Sequence, residues 1–234
     1  MRSVHVDRTG KVRSSGCMSQ ARIGLRDLKK QITRTSIASS ALELAVERGL
    51  EQVTLDDIAE QAFVSPRTVS NYFSGKEEAI AAAGRDLKDS ILDDLALRPA
   101  SEPPLESLHR VAVDFVRSLT PEELEAQRQK RLLGERHPGI NAYLMARYES
   151  VEEMLRPALA SRTGTDSDRD IYPWVLAAAG VAAIRIAVTR WVRSGADLEE
   201  LVSLLQISFG HLQQGLDMPR PAPPEIKKDS DFAL

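Results

Sequence analysis

The sequence is poor in cysteine and in aromatic residues. It holds one cysteine, Cys17, and aromatic side chains make up only 5% of its 234 residues. A lone cysteine excludes an intrachain disulfide, so we expect a cytoplasmic, reducing environment. Few aromatic residues, beside an abundance of Ala, Leu, Glu and Arg, favour helices over strands. The composition therefore predicts an all-α fold.

The usual signatures of catalysis, metal binding and membrane insertion are also missing. Four histidines are scattered without the spacing of metal ligands, and no glycine-rich phosphate loop is present. The N-terminus lacks the apolar run of a signal peptide. The most apolar stretch, residues 171–184, is too short to cross a bilayer and ends at Arg185, which favours a buried helix. We therefore expect no enzyme, no cofactor, no metal site and no membrane partner.

Positive charge is concentrated at one end of the chain. Residues 1–50 contain ten Lys and Arg against four Asp and Glu, a local balance of +6, although the whole chain has a net charge of −3. Bulk charge thus argues against a protein that coats nucleic acid, whereas the distribution indicates a basic N-terminal face. Residues 1–20 have no repeating apolar spacing, so we expect a mobile basic tail there.

Apolar residues recur at helical spacing over most of the chain, and Gly, Pro or polar breaks separate the segments. A long fourth helix is predicted to run from Lys76 toward a break at Pro99. The residues after Met218 include four prolines and then charge, which predicts a second disordered tail. The other predicted helices cover residues 28–48, 55–61, 66–72, 105–119, 122–133, 141–160, 170–193 and 198–215.

Residues 54–72 have the pattern of a helix-turn-helix. Thr54 is suited to cap a short helix, because two acidic residues follow it in the first turn. After a three-residue turn, Ser65 and Pro66 are suited to open a second short helix. In a DNA-binding helix-turn-helix the second helix lies in the major groove. On spacing alone, the alternative is a helical hairpin that only packs.

Two consecutive stretches resemble the DNA-binding domain of the TetR family of transcriptional regulators. They read GLRDLKKQITRTSIASSALELAVERGLEQV at residues 24–53 and TLDDIAEQAFVSPRTVSNYFSGKEEAI at residues 54–80. The Pro-Arg-Thr and Asn-Tyr-Phe pieces and the basic lead-in are similar to an actinobacterial branch of that family. The resemblance implies an N-terminal three-helix helix-turn-helix domain, followed by a C-terminal helical domain for ligand binding and dimerisation.

The resemblance also implies roles for individual residues. Thr54 and Lys76 would contact phosphates, and Tyr72 would lie against the DNA backbone. The base-facing candidates would be Arg67, Thr68 and Asn71. With the basic leading end of the first helix and the hydroxyls of the second short helix, the predicted DNA-binding set is Lys29, Lys30, Arg34, Thr54, Ser65, Arg67, Thr68, Ser70, Asn71, Tyr72 and Lys76.

Two positions depart from the family pattern. Phe63 stands where a turn glycine is usual, and Ser70 stands where tyrosine is frequent. A bulky residue is strained if the turn requires a positive φ. Neither the turn geometry nor the operator sequence can therefore be inferred from relatives, whereas the expected fold is unaffected.

The last two helices are predicted to pair across a two-fold axis as a four-helix bundle. Such a dimer would set two recognition helices about one DNA turn or a multiple of it apart, which matches a palindromic operator. The alternative is that the same faces bury against their own domain. The small and apolar residues predicted for the interface are Ala177, Gly180, Val181 and Ile184, with Leu201, Leu204, Leu205, Ser208 and Leu212.

A ligand pocket is expected among the middle helices. Arg185 and Arg190 lie in an otherwise apolar helix. They are expected to pair with an anionic ligand or with a carboxylate such as Glu152 or Glu153, or else to lie in solvent. The resemblance implies an effector that is acyl-CoA-like, aromatic or lipophilic. The predicted ligand-binding residues are Phe115, Leu132, Tyr143, Tyr148, Met154, Trp174 and Arg185, with Leu133, Met145, Leu155 and Trp191 as further candidates.

The sequence therefore predicts a ligand-responsive transcriptional repressor that binds a palindromic operator as a homodimer and is released by a small-molecule effector. The fourth helix is the predicted transmitter between the two sites. The alternative is a constitutive DNA-binding regulator or activator without a metabolite ligand. The predicted divisions of the chain are a basic tail (1–20), a helix-turn-helix domain (21–76), a ligand-binding and dimerisation domain (77–216) and a second tail (217–234).

Overall fold

The computed structural model describes residues 24–216, and that part of the chain is built from α-helices without a strand. The predicted all-α fold is therefore confirmed. Cys17 and the two predicted tails, 1–20 and 217–234, lie outside the described residues. The helices are α1 (Leu25–Arg48), α2 (Leu55–Gln61), α3 (Pro66–Tyr72), α4 (Lys76–Ala81), α5 (Ile91–Ala96), α6 (Pro104–Arg117), α7 (Pro121–Arg136), α8 (Pro138–Thr163), α9 (Ile171–Ser194) and α10 (Leu198–Gln213), with 3₁₀ turns at Leu50–Gln52 and Leu87–Asp89.

Helices α2 and α3 begin where the sequence predicts, because side chains cap their first turns. The Thr54 hydroxyl accepts a hydrogen bond from the Asp57 N–H at 3.2 Å, and the Asp57 carboxylate accepts one from the Thr54 N–H at 2.8 Å. This capping box satisfies backbone donors that α2 would otherwise leave unpaired. In the same way the Ser65 hydroxyl accepts from the Thr68 N–H at 3.1 Å, and Pro66 occupies the first turn of α3.

The first three helices surround a core that the C-terminal half also enters. Leu44 of α1, Ile58 of α2 and Val69 of α3 are buried together. The same cluster contains Ile80 of α4, Leu133 of α7 and Ile140 of α8. One apolar core thus joins the helix-turn-helix to the helices that follow, while the boundary between residues 76 and 77 stays a prediction.

The single helix predicted from Lys76 toward Pro99 is wrong, because the chain turns at Gly84. Gly84 has a φ of 76°, in the left-handed region, where an α-helix cannot continue. Helix α4 ends before it, and a 3₁₀ turn and α5 follow it. We refer to residues 82–90, which join α4 to α5, as the linker. Coupling between the two halves of the chain is carried either by this bent segment or by the packing contacts between their helices.

Helices α6, α8, α9 and α10 form the larger core. The Trp191 side chain is fully buried there, and its indole N–H donates to the carbonyl oxygens of Ala196 at 3.0 Å and Asp197 at 2.9 Å. Helix α9 is long and apolar enough to cross a membrane by length and composition. Its close approach to α6 identifies it as a core helix, since a Cβ added to Gly180 would lie only 2.9 Å from Leu108 Cδ1.

The faces predicted for dimer pairing lie mostly inside the chain itself, so that prediction is corrected. Ala177, Val181, Leu201 and Leu205 are buried in the larger core, because α9 and α10 pack on each other and on α6 through these residues. Gly180 is used for the contact with α6. Ile184, Leu204 and Leu212 also pack against that core. The opposite faces of α9 and α10 are the ones left exposed.

Candidate nucleic-acid interface and internal cavity

Helix α3 presents polar side chains to solvent on one face. Arg67, Ser70 and Asn71 are exposed, whereas Val69 on the other face is buried against α2 and α1. The side chains of Arg67 and Asn71 form no hydrogen bond or ion pair with other residues in the range 24–216. A guanidinium and an amide at helical spacing are thus free to bind base edges or phosphates.

The hydroxyl groups near the start of α3 are used by the helix itself. The Ser65 and Thr68 hydroxyls lie 2.8 Å apart, in addition to the cap formed by Ser65. The Ser70 hydroxyl donates to the Pro66 carbonyl oxygen at 3.2 Å. Because Ser65 and Ser70 stay exposed and Thr68 half-buried, these groups can still meet DNA while they stabilise the helix. Their predicted role in DNA binding therefore stays a prediction.

Arg34 fastens the end of α3 to α1. Its Nη1 donates to the Tyr72 carbonyl oxygen at 3.1 Å, and its guanidinium carbon lies 4.3 Å from the centre of the Phe73 ring. The geometry therefore gives Arg34 a positioning role beside its predicted contact with DNA. Lys29 and Lys30 lie exposed in the first two turns of α1, and Tyr72 is half-buried.

Lys76 is engaged inside the chain, while its predicted phosphate contact stays a prediction. Its Nζ donates to the carbonyl oxygens of Leu50 at 2.8 Å and Val53 at 3.0 Å. The ammonium group thus holds the first turn of α4 against the segment before α2. Sequence spacing could not reveal this, because the acceptors lie more than twenty residues earlier in the chain. Thr54, by contrast, stays exposed at the start of α2.

A bulky side chain occupies the turn between α2 and α3, as the departure from the family pattern suggests. Phe63 has a φ of 55°, and its side chain is 96% exposed. The left-handed conformation costs a non-glycine residue about 1–2 kcal/mol. The turn keeps its helix-turn-helix geometry despite this strain, since both flanking helices are in place.

Phe63→Gly is expected to raise the free energy of unfolding by about 0.5–1 kcal/mol, because glycine adopts a positive φ without strain. The greater conformational entropy of glycine in the unfolded chain offsets only part of this stabilisation. Urea denaturation would measure the change. Phe63→Ala is the matched control: it removes the same ring but keeps the strained φ. Equal stability of the Gly and Ala variants would contradict the assignment of strain.

A cavity of about 120 Å³ lies between the linker and helices α6 to α10. Phe115, Tyr148 and Trp191 line it, as the sequence predicts. Leu132 and Met154 do not reach it but pack partly buried against the surrounding core. The predicted pocket is therefore real as a cavity, although the structure assembles only part of the predicted set around it.

Three predicted ligand residues lie elsewhere. The Tyr143 hydroxyl is 2.9 Å from the Ser74 hydroxyl, at the contact between α8 and the end of the helix-turn-helix. Trp174 donates from its indole N–H to the Ser167 carbonyl oxygen at 2.9 Å, and the Arg156 guanidinium covers its ring. Arg185 is exposed and is absent from the cavity lining. These placements correct the predicted pocket, because apolar spacing does not distinguish which side of a helix faces a cavity.

The cavity has charged residues that the sequence prediction missed. Lys130 and Arg131 of α7 and Arg147 of α8 line it, with Asp86 of the linker. Arg147 forms an ion pair with Asp86. A sequence signal for Lys130 does exist: it lies three and four residues before Leu133 and Gly134, which form the buried face of α7.

Burial changes the proton affinity of these cations. It lowers the pKa of Lys130 from its usual value to about 7, with the neighbouring charge of Arg131 as a smaller cause. It likewise lowers the pKa of Arg131 to about 10, helped by the charge of Arg185. The pKa of Arg147 falls to about 10 through burial and then through the charge of Arg34.

Known proteins similar to this chain are transcriptional regulators. The family model described as bacterial regulatory proteins of the tetR family matches residues 37–83, and the model described as the MftR C-terminal domain matches residues 102–217. The HTH-type transcriptional regulator TcmR of Streptomyces glaucescens is 32% identical over 206 residues, which cover 85% of this chain and 91% of TcmR. The chain belongs to the TetR family.

Further relatives of this TetR-family protein agree with that assignment. The HTH-type regulator BetI of Brucella suis is 32% identical over 96 residues, which cover 40% of this chain and 46% of BetI. The crystal structure of NalD, a repressor of an efflux pump in Pseudomonas aeruginosa, has the same fold, with a TM-score of 0.51 and 21% identity over 77% of this chain and 96% of NalD. The TetR-family protein therefore has an N-terminal DNA-binding helix-turn-helix and a C-terminal helical domain.

The relatives of this TetR-family protein are described as transcriptional regulators. Within residues 24–216, no three His, Cys, Asp or Glu side chains are grouped so that they could hold a metal ion.

Proposed function

We propose that this chain is a cytoplasmic, ligand-responsive transcriptional repressor that binds a palindromic operator as a homodimer and is released by a small-molecule effector. The observation that carries the proposal is the linker. Arg85, Asp86 and Leu87 of the linker form part of the cavity wall, while α4 at its other end packs in the core of the helix-turn-helix. A molecule bound in the cavity would touch the segment that leads to α4, whose residues share one core with α2 and α3.

Operator binding is assigned to α3 and to the basic start of α1. Arg67 and Asn71 are the base-reading candidates, because both side chains are exposed and unengaged within residues 24–216. Lys29 and Lys30 are exposed cations that can contact phosphates. Two such surfaces related by a two-fold axis would occupy half-sites about one helical turn apart.

The dimer interface is assigned to the exposed faces of α9 and α10. Val175, Ala178, Ala182 and Ile186 follow one another at helical spacing on α9, and Val175 and Ile186 are more than half exposed. Ile207 is likewise more than half exposed on α10. Apolar side chains in such a row are costly in water and are typical of an interface between copies of one chain.

Glutamate at both Ile186 and Ile207 is expected to convert the dimer to a monomer, weakening association by about a hundredfold or more, because two-fold symmetry repeats each buried charge. Sedimentation equilibrium over a range of protein concentrations would measure it. Leu97→Glu is the control, since Leu97 is equally apolar and exposed just after α5, away from both helices. A double variant that sediments like the unaltered protein would place the interface elsewhere.

Coupling between cavity and DNA is assigned to three contacts that hold the linker. Lys130 Nζ donates to the Ala83 carbonyl oxygen at 2.7 Å. Gln127 Nε2 donates to the Arg85 carbonyl oxygen at 2.5 Å. The ion pair of Arg147 with Asp86 is the third contact. An effector that binds better to one arrangement of these contacts shifts the population of dimers that fit two adjacent major grooves.

Selection of duplexes from a random pool by the purified protein tests the DNA-binding part. The expected result is a palindrome whose two halves are protected together in footprinting. Small molecules released from the purified protein by denaturation would then be identified by mass spectrometry and added back. Release of the selected operator supports the repressor, whereas operator binding that no added-back compound alters supports a constitutive regulator or activator.

A further inference from the structure

The cavity has an apolar side and a cationic side. Helices α6, α9 and α10 contribute aliphatic and aromatic groups, among them Phe115, Val181, Ile184, Val188 and Leu205. The linker, α7 and α8 contribute all of the charged groups in the lining. A ligand that fills this space therefore meets hydrocarbon on one side and fixed charges on the other.

The charges in the wall are unequal in sign. Four cationic side chains line the cavity, but Asp86 is the sole carboxylate in its lining. Asp86 is already paired with Arg147. Arg85 Nη1 lies 3.8 Å from Oε2 of Glu123, which is not part of the cavity lining. Lys130 and Arg131 form no ion pair with any acidic group in the range 24–216. The wall thus holds two cations whose charges are not compensated by a carboxylate.

The two uncompensated cations are in place to bind an anion. Lys130 is 3% exposed, and one of its three ammonium donors is used by the Ala83 carbonyl oxygen. The Arg131 guanidinium lies 4.8 Å from the centre of the Tyr148 ring and donates to the Tyr148 hydroxyl. Buried cations without a counterion are costly, and the lowered pKa values of both residues express that cost.

We propose that the effector is an amphipathic anion, whose carboxylate or other acidic group is held by Lys130 and Arg131 while its apolar body fills the opposite side of the cavity. This inference rests on the proposed function, because it takes the cavity as the effector site. A neutral lipophile would leave both cations uncompensated, and a cationic compound would add a like charge.

An anion at this position also explains how binding reaches the linker. Lys130 Nζ is the group that holds the Ala83 carbonyl oxygen, one residue before the turn at Gly84. An acidic group on the ligand attracts the same ammonium through its free donors and so acts on the group that holds this carbonyl. A neutral ligand of the same shape has no comparable attraction for Nζ and is expected to affect the linker less.

Two matched series of probe compounds test the inference on the purified protein without DNA. One series is naphthoate, naphthamide and naphthylmethylamine, and the other is decanoate, decanamide and decylamine. Isothermal titration calorimetry would measure the dissociation constants. In at least one series the carboxylate is expected to bind about tenfold or more tightly than the amide and the amine, since charge-assisted hydrogen bonds form only with the carboxylate.

Variants then assign the preference to the two cations. In Lys130→Met and in Arg131→Met the preference for the carboxylate is expected to fall below about threefold, while affinity for the amide is retained. Arg156→Met is the matched control, because Arg156 covers Trp174 outside the cavity lining. Thermal melts of each variant would show that it is folded. Amide binding that survives in the variants shows that the cavity itself is intact.

The outcomes separate this inference from the proposed function. The inference is overturned if amides or amines bind as well as the carboxylates, if no carboxylate binds at millimolar concentration, or if the preference persists without Lys130 and Arg131. Carboxylate binding that leaves operator affinity unchanged would support the ligand class and contradict ligand-controlled repression. Release of the operator by a neutral compound would support ligand-controlled repression and contradict the ligand class.

Discussion

Alanine at both Arg67 and Asn71 is expected to lower affinity for the selected operator by about a hundredfold or more. Each is an exposed group on the same face of α3, and a bidentate contact between such a side chain and a base edge is worth about 1–3 kcal/mol. Affinity for a random duplex should fall much less, because phosphate contacts from residues such as Lys29 and Lys30 remain. The ratio of the affinity for the operator to the affinity for random DNA is therefore expected to fall toward one.

Fluorescence anisotropy titrations at one fixed salt concentration would measure both affinities. Arg117→Ala is the matched control, since it removes an exposed arginine at the end of α6, away from α3. If the double variant keeps its preference for the operator, or loses affinity for both duplexes equally, base reading does not depend on these two residues. If the preference is lost as expected, the single variants would identify which of the two residues contributes more.

Lys130→Met is expected to raise the free energy of unfolding by about 3 kcal/mol at pH 6. At that pH the lysine is charged in both the folded and the unfolded protein, so the folded state carries the full cost of a buried ammonium group. Methionine fills similar space without charge. This expected gain already includes a loss of about 1 kcal/mol, because the variant lacks the hydrogen bond to the Ala83 carbonyl oxygen.

The same residue gives the unaltered protein a pH-dependent stability. The pKa of Lys130 is about 7 in the folded protein and near 10.5 when the chain is unfolded, so the unfolded chain binds more protons between these values. The contribution of Lys130 to stability therefore rises with pH across that window, by about 3 kcal/mol between pH 6 and pH 9, and is least favourable below pH 7. In Lys130→Met this rise should be absent.

Urea denaturation at pH 6 to pH 9 would measure both effects. Lys29→Met is the control, because Lys29 is exposed on α1 and its loss should leave the profile unchanged. A Lys130→Met variant that is less stable than the unaltered protein, or that keeps the rise with pH, would show that the ammonium group is better solvated than its burial implies. A confirmed gain would mean that the chain retains a destabilising residue at the cavity wall.

Local chemistry explains why the helix-turn-helix could be predicted from the sequence. The bounds of α2 and α3 depend on Thr54, Ser65 and Pro66, whose capping bonds involve residues at most three positions away. The strain at Phe63 is local in the same sense, because a φ value belongs to one residue. Interactions of this range are contained in a short window of sequence, and no knowledge of the fold is required.

Other assignments depended on partners far along the chain. The sequence predicts Lys76 at DNA and could not reveal that its ammonium donates to the carbonyl oxygens that follow α1. Tyr143 was expected in the cavity, but it meets Ser74, 69 residues earlier. Apolar spacing identified α9 and α10 as helices and predicted one face of each for the dimer. It could not say which face packs inside the chain, because both carry small and aliphatic residues.

The sequence by itself determined that this protein is helical, that a capped helix-turn-helix lies near its basic end, and that it resembles one family of regulators. The tertiary structure alone decided two further features: the exposed faces of α9 and α10, and the uncompensated cations around the cavity. Caps and helix periods arise from neighbours within a turn. The face that is buried, and the charge that lacks a counterion, arise only when helices distant in sequence pack together.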